Sequence, residues 1–334
     1  MKTPQYPENV HPELSRACNL TCIMCPAHSP TSNPRMVRDY PARMEFLDFC
    51  MIMKQTKDFG VLTVGPQIYG EPLLHPELFD AIAFARNLGH EVDINTNGML
   101  LDKTAATRLL KLGVRTFCIS VDGADKETVE KIRLGCDFAR VLGNTEQMID
   151  LRNRMGQTKT QIMISMCDHV LNHQHIPLAV DFWLDKGVDK VIANNNLRSG
   201  ERTWNFLPKD RWPCPYLWKE MGIYTNGEVV SCRGDVGSTL VAGNAFKTPL
   251  LDIWHGEFLE KLRTLHNDGK WGRIPECAGC LDWARFTGAT ITHNDGKVYE
   301  TSAFTTTIYK QTPTKYAAAL GKRWASGLLR KVRS

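Results

Sequence analysis

From about residue 11 to residue 200, short apolar runs alternate with segments whose apolar residues recur every three or four positions. The runs Glu13–Arg16, Val61–Ile68, Glu91–Thr96, Thr116–Val121, Gln161–Met166 and Lys190–Asn194 have the length and branched content of strands. Between them, Pro76–Leu88, Lys103–Leu112, Lys126–Ile132 and Leu142–Arg154 carry helical periodicity. Asp102 stands where an N-cap belongs, and Gly89 and Gly113 suit left-handed helix ends. Repeated strand–helix units predict an α/β fold with a parallel sheet, about six units curling into a partial (β/α)6 barrel. Function in such a sheet sits at the C-terminal strand ends.

The pattern changes after residue 200. Met221–Thr225 and Glu228–Ser231, separated by Asn226-Gly227, predict a hairpin with a type I′ turn. Leu250–His266 then reads as one amphipathic helix. A hairpin plus a helix buries little surface unaided, and units of this size usually need a metal or another staple. The expected division is 1–205 for the barrel, 206–285 for the small unit and 286–334 for a C-terminal extension with a basic tail.

Hydrophobic residues make up 43% and charged residues 23%, which supports a globular core. No uncharged apolar run reaches the length of a membrane span, and the polar start lacks a signal peptide, so the expectation is a cytoplasmic protein. The net charge of +5 is local. Thr301–Ser334 holds seven of the 41 Lys and Arg residues and no acid, leaving 34 basic against 36 acidic residues elsewhere. That balance predicts no nucleic-acid partner. The tail mixes Leu320, Trp324, Leu328 and Leu329 with basic residues, a pattern that predicts weak membrane-surface contact.

The eleven cysteines change the picture. Cys50, Cys118, Cys136 and Cys167 are isolated in apolar stretches and read as buried small hydrophobes. The other seven fall into two groups. Cys18, Cys22 and Cys25 follow the first strand in C-x3-C-x2-C spacing. Three thiolates on one short loop can hold three irons of a cluster and leave the fourth open to a ligand. Zinc, with His28 as a fourth ligand, is the alternative. Cys214, Cys232, Cys277 and Cys280 form a set of four, enough to close around zinc or a [4Fe–4S] cluster.

The first group resembles the signature of the radical S-adenosylmethionine (SAM) superfamily, with Met24 where members often carry an aromatic residue. The resemblance implies a [4Fe–4S] cluster that binds SAM through its open iron and reductively cleaves it to a 5′-deoxyadenosyl radical. It also implies a flavodoxin- or ferredoxin-type electron donor. Tyr69-Gly70-Glu71-Pro72 resembles the family's Gly-Gly-Glu segment, with Tyr69 replacing the first Gly, which makes Gly70 and Glu71 candidates for SAM binding. Asn97, Ser120 and Asp122 at the next strand ends are further candidates for SAM contacts. The second group, together with Gly222–Cys232, Gly243-Asn244 and Leu250–Trp254, resembles the SPASM/twitch extension, which implies a second [4Fe–4S] cluster. No cysteine follows Cys280, so the resemblance is to the single-cluster twitch form, and the set is similar to that of twitch-type aminoglycoside-pathway dehydrogenases.

The activity implied is radical dehydrogenation of a sugar, cyclitol or similar polar small molecule, with the auxiliary cluster accepting an electron. Candidate substrate and catalytic residues are Asn194, Asn195, Asn196 and Arg198 after the sixth strand, and His169, with His173 and His175, after the fifth. Other readings are maturation of a ribosomal peptide, modification of a lipid-linked substrate, and a non-catalytic iron–sulfur scaffold.

Overall fold

The structure, a computed structural model, describes residues 1–32, 40–60, 62–195, 210–235, 237–286, 289–303 and 305–310. Twelve strands among these residues form one sheet. Its centre is the predicted parallel array: β1 (Asn9–Pro12), β2 (Thr63–Val64), β3 (Glu91–Thr96), β4 (Thr116–Ser120), β5 (Gln161–Asp168) and β6 (Lys190–Asn195) lie side by side in chain order. The connections carry α1 (Phe46–Lys54), α2 (Leu78–Asn87), α3 (Lys103–Lys111), α4 (Lys126–Ile132), α5 (Phe138–Arg154) and α6 (Ile176–Lys186). Alternate residues of β3 to β5, among them Val92, Ile94, Phe117, Ile119, Ile162, Ile164 and Met166, are wholly buried in the main core.

Helix starts follow the sequence. Asp102 accepts from the Ala105 N–H at 2.8 Å, and Asp125 and Asp137 cap α4 and α5 in the same way. The Asp137 cap lets α5 begin four residues before the predicted Leu142.

The first strand sits earlier than expected. Asn9–Pro12 pairs with both β2 and β7 (Glu220–Ile223), whereas the predicted Glu13–Arg16 leaves the ladder. Leu14 N–H turns to Pro66 O and Arg16 N–H to Ala42 O. Glu13 and Arg16 instead form a buried ion pair at 3.0 Å.

The parallel β1–β7 pairing joins the C-terminal strands to the parallel sheet. There β7, β8 (Glu228–Val230) and β9 (Val241–Asn244) run antiparallel. The hairpin turn is not type I′, because Gly227 (φ +82°) is left-handed and Asn226 is not. Tyr224 N–H pairs with Glu228 O, so three residues make the loop, a length that takes an ordinary β-turn plus one left-handed glycine. A two-residue loop with both φ angles positive occurs at Asp295-Gly296, between β10 (Thr290–Asn294) and β11 (Lys297–Thr301). With β12 (Thr305–Lys310) these strands extend the other end of the sheet, β12 pairing antiparallel with β6.

The single helix expected over Leu250–His266 is two helices, α8 (Leu250–Trp254) and α9 (Glu257–Asn267), preceded by the short α7 (Tyr216–Lys219) and followed by α10 (Pro275–Ala278). The break falls at Gly256, whose extended backbone (ψ 155°) caps α9, and glycine is the cheapest residue to take out of a helix. No helix among the described residues is long and apolar enough to cross a membrane.

Candidate functional site

The loop carrying Cys18, Cys22 and Cys25 leaves β1 at its C-terminal end and is held by the protein itself. Thr21 N–H bonds to Leu134 O and Ile23 N–H to Ile132 O, fastening the loop to the end of α4, and Leu20 is buried beneath it. The three cysteines, with Met24, Gly70, Glu71, Asn97 and Ser120, line one pocket of about 330 Å³.

Gly70 and Glu71 fasten this pocket together. A Cβ on Gly70 would lie 2.0 Å from Ser15 O and 2.8 Å from Ala17 O, so only glycine lets this loop pass the strand leading to Cys18. Glu71 N–H donates to Ala17 O. The Glu71 carboxylate, 2% exposed, accepts from Thr96 Oγ1 at 2.8 Å, Asn97 N–H at 2.8 Å and Leu73 N–H at 3.1 Å. Burial pushes its acid upward, and these three donors oppose that. Asn97 Nδ2 in turn donates to Asn19 Oδ1 at 2.8 Å and lies 3.9 Å from the Cys18 sulfur.

Asp122 is fully buried and does not line the pocket. It pairs with Arg133 Nε at 2.8 Å and accepts from Cys167 N–H at 2.6 Å. Arg133 does line the pocket, and sequence reasoning missed it. It is the residue after α4, and nothing in its neighbourhood marks it; only the fold brings it to Asp122. Burial alone would lower its pKa, but Asp122, with Cys22 and Cys167, more than reverses that and keeps it a fixed cation.

His169 does not line the cysteine pocket; its Nδ1 accepts from Leu171 N–H. His173 pairs instead with Asp168 at 2.7 Å, beside a different cavity. Asn194 is taken up by the sheet extension, donating to Ser165 Oγ and accepting from Thr305 Oγ1. Asn196, Arg198 and the tail from residue 311 onward lie outside the described residues.

The second cysteine group also comes together. Cys214 precedes α7, Cys232 follows β8, and Cys277 and Cys280 flank the end of α10, yet all four line one small cavity of about 60 Å³. Backbone N–H groups already face the sulfurs: Gly234 N–H lies 3.3 Å from Cys232 Sγ and Asp282 N–H 3.4 Å from Cys280 Sγ. A Cβ on Gly234 would come within 3.3 Å of the Cys232 sulfur. Trp283 Nε1, His266 Nε2 and Arg211 Nε, all on residues lining this cavity, are buried donors with no protein partner. His266 is held neutral, its pKa lowered to about 4 by burial and the nearby Arg211.

Burial raises the thiols at both places: Cys22 to about 11, Cys232 to about 12 and Cys277 to about 11. Thiols this costly to ionise become thiolates when a cation compensates them, releasing protons as the metal binds. Among the described residues no three His, Cys, Asp or Glu converge on a point fit for one metal ion. Thiols lining a cavity, with orphaned N–H donors at the second, fit iron–sulfur clusters, whose sulfurs accept hydrogen bonds. Cys18, Cys22 and Cys25 would hold one cluster and Cys214, Cys232, Cys277 and Cys280 the other.

One further arrangement joins the two places. The Arg16 guanidinium lies 4.7–5.0 Å from the ring centres of Tyr40, Tyr69 and Tyr224. Tyr69, in the wall of the first pocket, donates its hydroxyl to the carbonyl of Arg233, the residue after Cys232.

Comparison with known proteins agrees with this geometry. The model of the radical SAM superfamily matches residues 13–165, and that of SPASM, an iron–sulfur cluster-binding domain, matches 214–281. A PqqA peptide cyclase of Streptomyces rochei is 31% identical over 283 residues, 73% of this chain and 74% of that protein. The AdoMet-dependent heme synthase of Methanosarcina barkeri is 30% identical over 139 residues, 40% of this chain and 37% of that protein's length. The fold is shared with BtrN, solved in complex with AdoMet and 2-DOIA, at a TM-score of 0.58 and 19% identity over 84% of this chain and 94% of that one. This chain belongs to the radical SAM superfamily, as an enzyme that uses SAM and [4Fe–4S] clusters and carries a SPASM region after its α/β sheet.

Proposed function

We propose that this enzyme dehydrogenates a polar small molecule, a sugar or cyclitol, taking a hydrogen atom from carbon at the first pocket and passing an electron to a cluster in the second. The observation that carries this reading is the contrast between three thiols around about 330 Å³ and four thiols around about 60 Å³. The first leaves room and an open metal position for SAM and substrate. The second offers a protein ligand for every corner and little room besides, which suits electron transfer.

When bound, the reduced first cluster supplies the electron that cleaves SAM and so provides a hydrogen-abstracting radical. The chain's own residues do the rest. Glu71 and Asn97 hold the cysteine loop and the β3 end in register. Arg133, its charge balanced by Asp122, puts a fixed guanidinium in the pocket wall, a hydrogen-bond donor suited to hydroxyl groups. The balance is that of an alcohol becoming a carbonyl: one hydrogen atom leaves carbon, the hydroxyl proton goes to solvent, and the remaining electron would need an acceptor, which a cluster held by Cys214, Cys232, Cys277 and Cys280 would supply.

A second reading, radical modification of a peptide, is favoured by the similarity to the PqqA peptide cyclase. The two are separated by incubating reconstituted enzyme with SAM, reductant and carbon-deuterated substrates. The expected result is deuterium in 5′-deoxyadenosine together with a carbonyl product from a polyol or cyclitol. Deuterium transfer from peptides alone would replace the first reading with the second.

A further inference from the structure

The donors around the second cavity are more than scaffolding. His266 is 1% exposed, and its Nδ1 accepts from the Cys214 N–H at 3.2 Å. A ring nitrogen that accepts carries no proton, so the neutral imidazole bears its proton on Nε2, the atom left without a partner. Trp283, 3% exposed, is in the same position: its indole is held edge-on by Trp212 at 4.8 Å, yet its N–H meets no acceptor. Arg211 lies over the Trp271 and Trp283 rings, spends Nη1 on Cys277 O and leaves Nε unused.

Buried N–H groups without acceptors are rare, and each costs about 1–3 kcal/mol if nothing meets it. Three on residues facing the same four thiols point to one acceptor, the sulfurs of a cluster. We infer that His266 Nε2–H and Trp283 Nε1–H, assisted by Arg211, donate to the sulfurs of the second cluster and raise its reduction potential, so that it accepts an electron from the substrate radical.

The direction follows from charge. Reduction adds negative charge to the sulfurs, donors stabilise the more negative state, and the potential rises. The carboxylates of Asp235, Glu276 and Asp282 face the same cavity and act the other way. Asp235 is partly occupied by Leu240 N–H and Glu276 by Thr239 Oγ1. His266 and Trp283 are therefore positioning residues, acting through the cluster and touching no substrate. The inference rests on the reading that the second cysteine group holds a cluster.

The test is a redox titration of the anaerobically reconstituted full-length enzyme, followed by electron paramagnetic resonance, with SAM added to mark the first cluster's signal. Trp283→Phe keeps an aromatic ring and removes the N–H. His266→Asn keeps an acceptor for Cys214 N–H and removes the far donor, so one variant stands in if the other fails to assemble. Each is expected to shift the second cluster's one-electron reduction about tenfold toward the oxidised form, a fall of about 59 mV. Iron is expected to stay at about eight per chain. Full iron with an unmoved or raised potential in both variants would overturn the inference. About four irons in the unaltered protein, all lost with the first three cysteines, would instead remove the second cluster itself.

Discussion

The two cysteine pockets are built on opposite principles. The first is assembled from loops at the ends of parallel strands, and most of its polar groups satisfy one another: Glu71 holds Thr96 and Asn97, Asn97 holds Asn19, and Asp122 holds Arg133, while Gln67 Oε1 in its wall has no protein partner among the described residues. The second gathers four thiols from distant segments around a small cavity and leaves donors unspent. A pocket that must admit a changing set of ligands keeps its walls fixed by internal bonds. A pocket that takes one permanent occupant can leave its polar groups for that occupant to satisfy.

The sharpest way to break this comparison is to remove one thiol from each side. Cys22→Ala is expected to reduce 5′-deoxyadenosine formation to background. Cys232→Ala is expected to keep SAM cleavage while product formation is lost and iron falls by about four per chain. Chromatographic measurement of both products checks the pair, and equal loss of both activities in Cys232→Ala would give the second pocket a purely structural role.

The next effect lies in the wall of the first pocket. Asp122→Asn leaves Arg133 buried without its counter-charge and is expected to cost about 3–5 kcal/mol of stability, read by denaturant unfolding of the iron-free protein. A change under 1 kcal/mol would show that the pair is solvated and the wall less rigid than its geometry implies. The smallest effect concerns Glu71. Glu71→Gln retains an acceptor but turns an amide toward one of three existing donors, so it is expected to weaken SAM binding about tenfold, at about 1–3 kcal/mol for a mispaired buried group. Equilibrium SAM binding measures it, and unchanged affinity would show that the clamp does not set the pocket's shape.

Much of this was legible in the chain. Apolar periodicity located β3 to β6 and α2 to α4 within a few residues, because each is buried on a regular face and capped by local side chains such as Asp102. The two cysteine groups were legible because thiol spacing reflects their chemistry. Less legible were features set by partners far along the chain. Glu13–Arg16 reads as a strand, but after Glu13 N–H makes a last bond to Ile223 O, Leu14 and Arg16 turn to Pro66 and Ala42. The Thr-rich strands after residue 289 gave little hydrophobic signal, because their sheet extends from the edge of β6 and leaves β10 exposed. Its place at a strand end makes Asp122 a candidate SAM contact, but the structure turns its carboxylate to Arg133.

The sequence by itself determined the alternating parallel sheet, the family and the two sets of thiols, since each is written in local periodicity or in residue type at fixed spacing. Tertiary structure decided which pocket is roomy and which is tight, that β7 joins β1, and that Arg133, Tyr69, His266 and Trp283 face the chemistry. Those depend on packing between segments tens to hundreds of residues apart, and short-range pattern along a chain carries no record of which distant surfaces will meet.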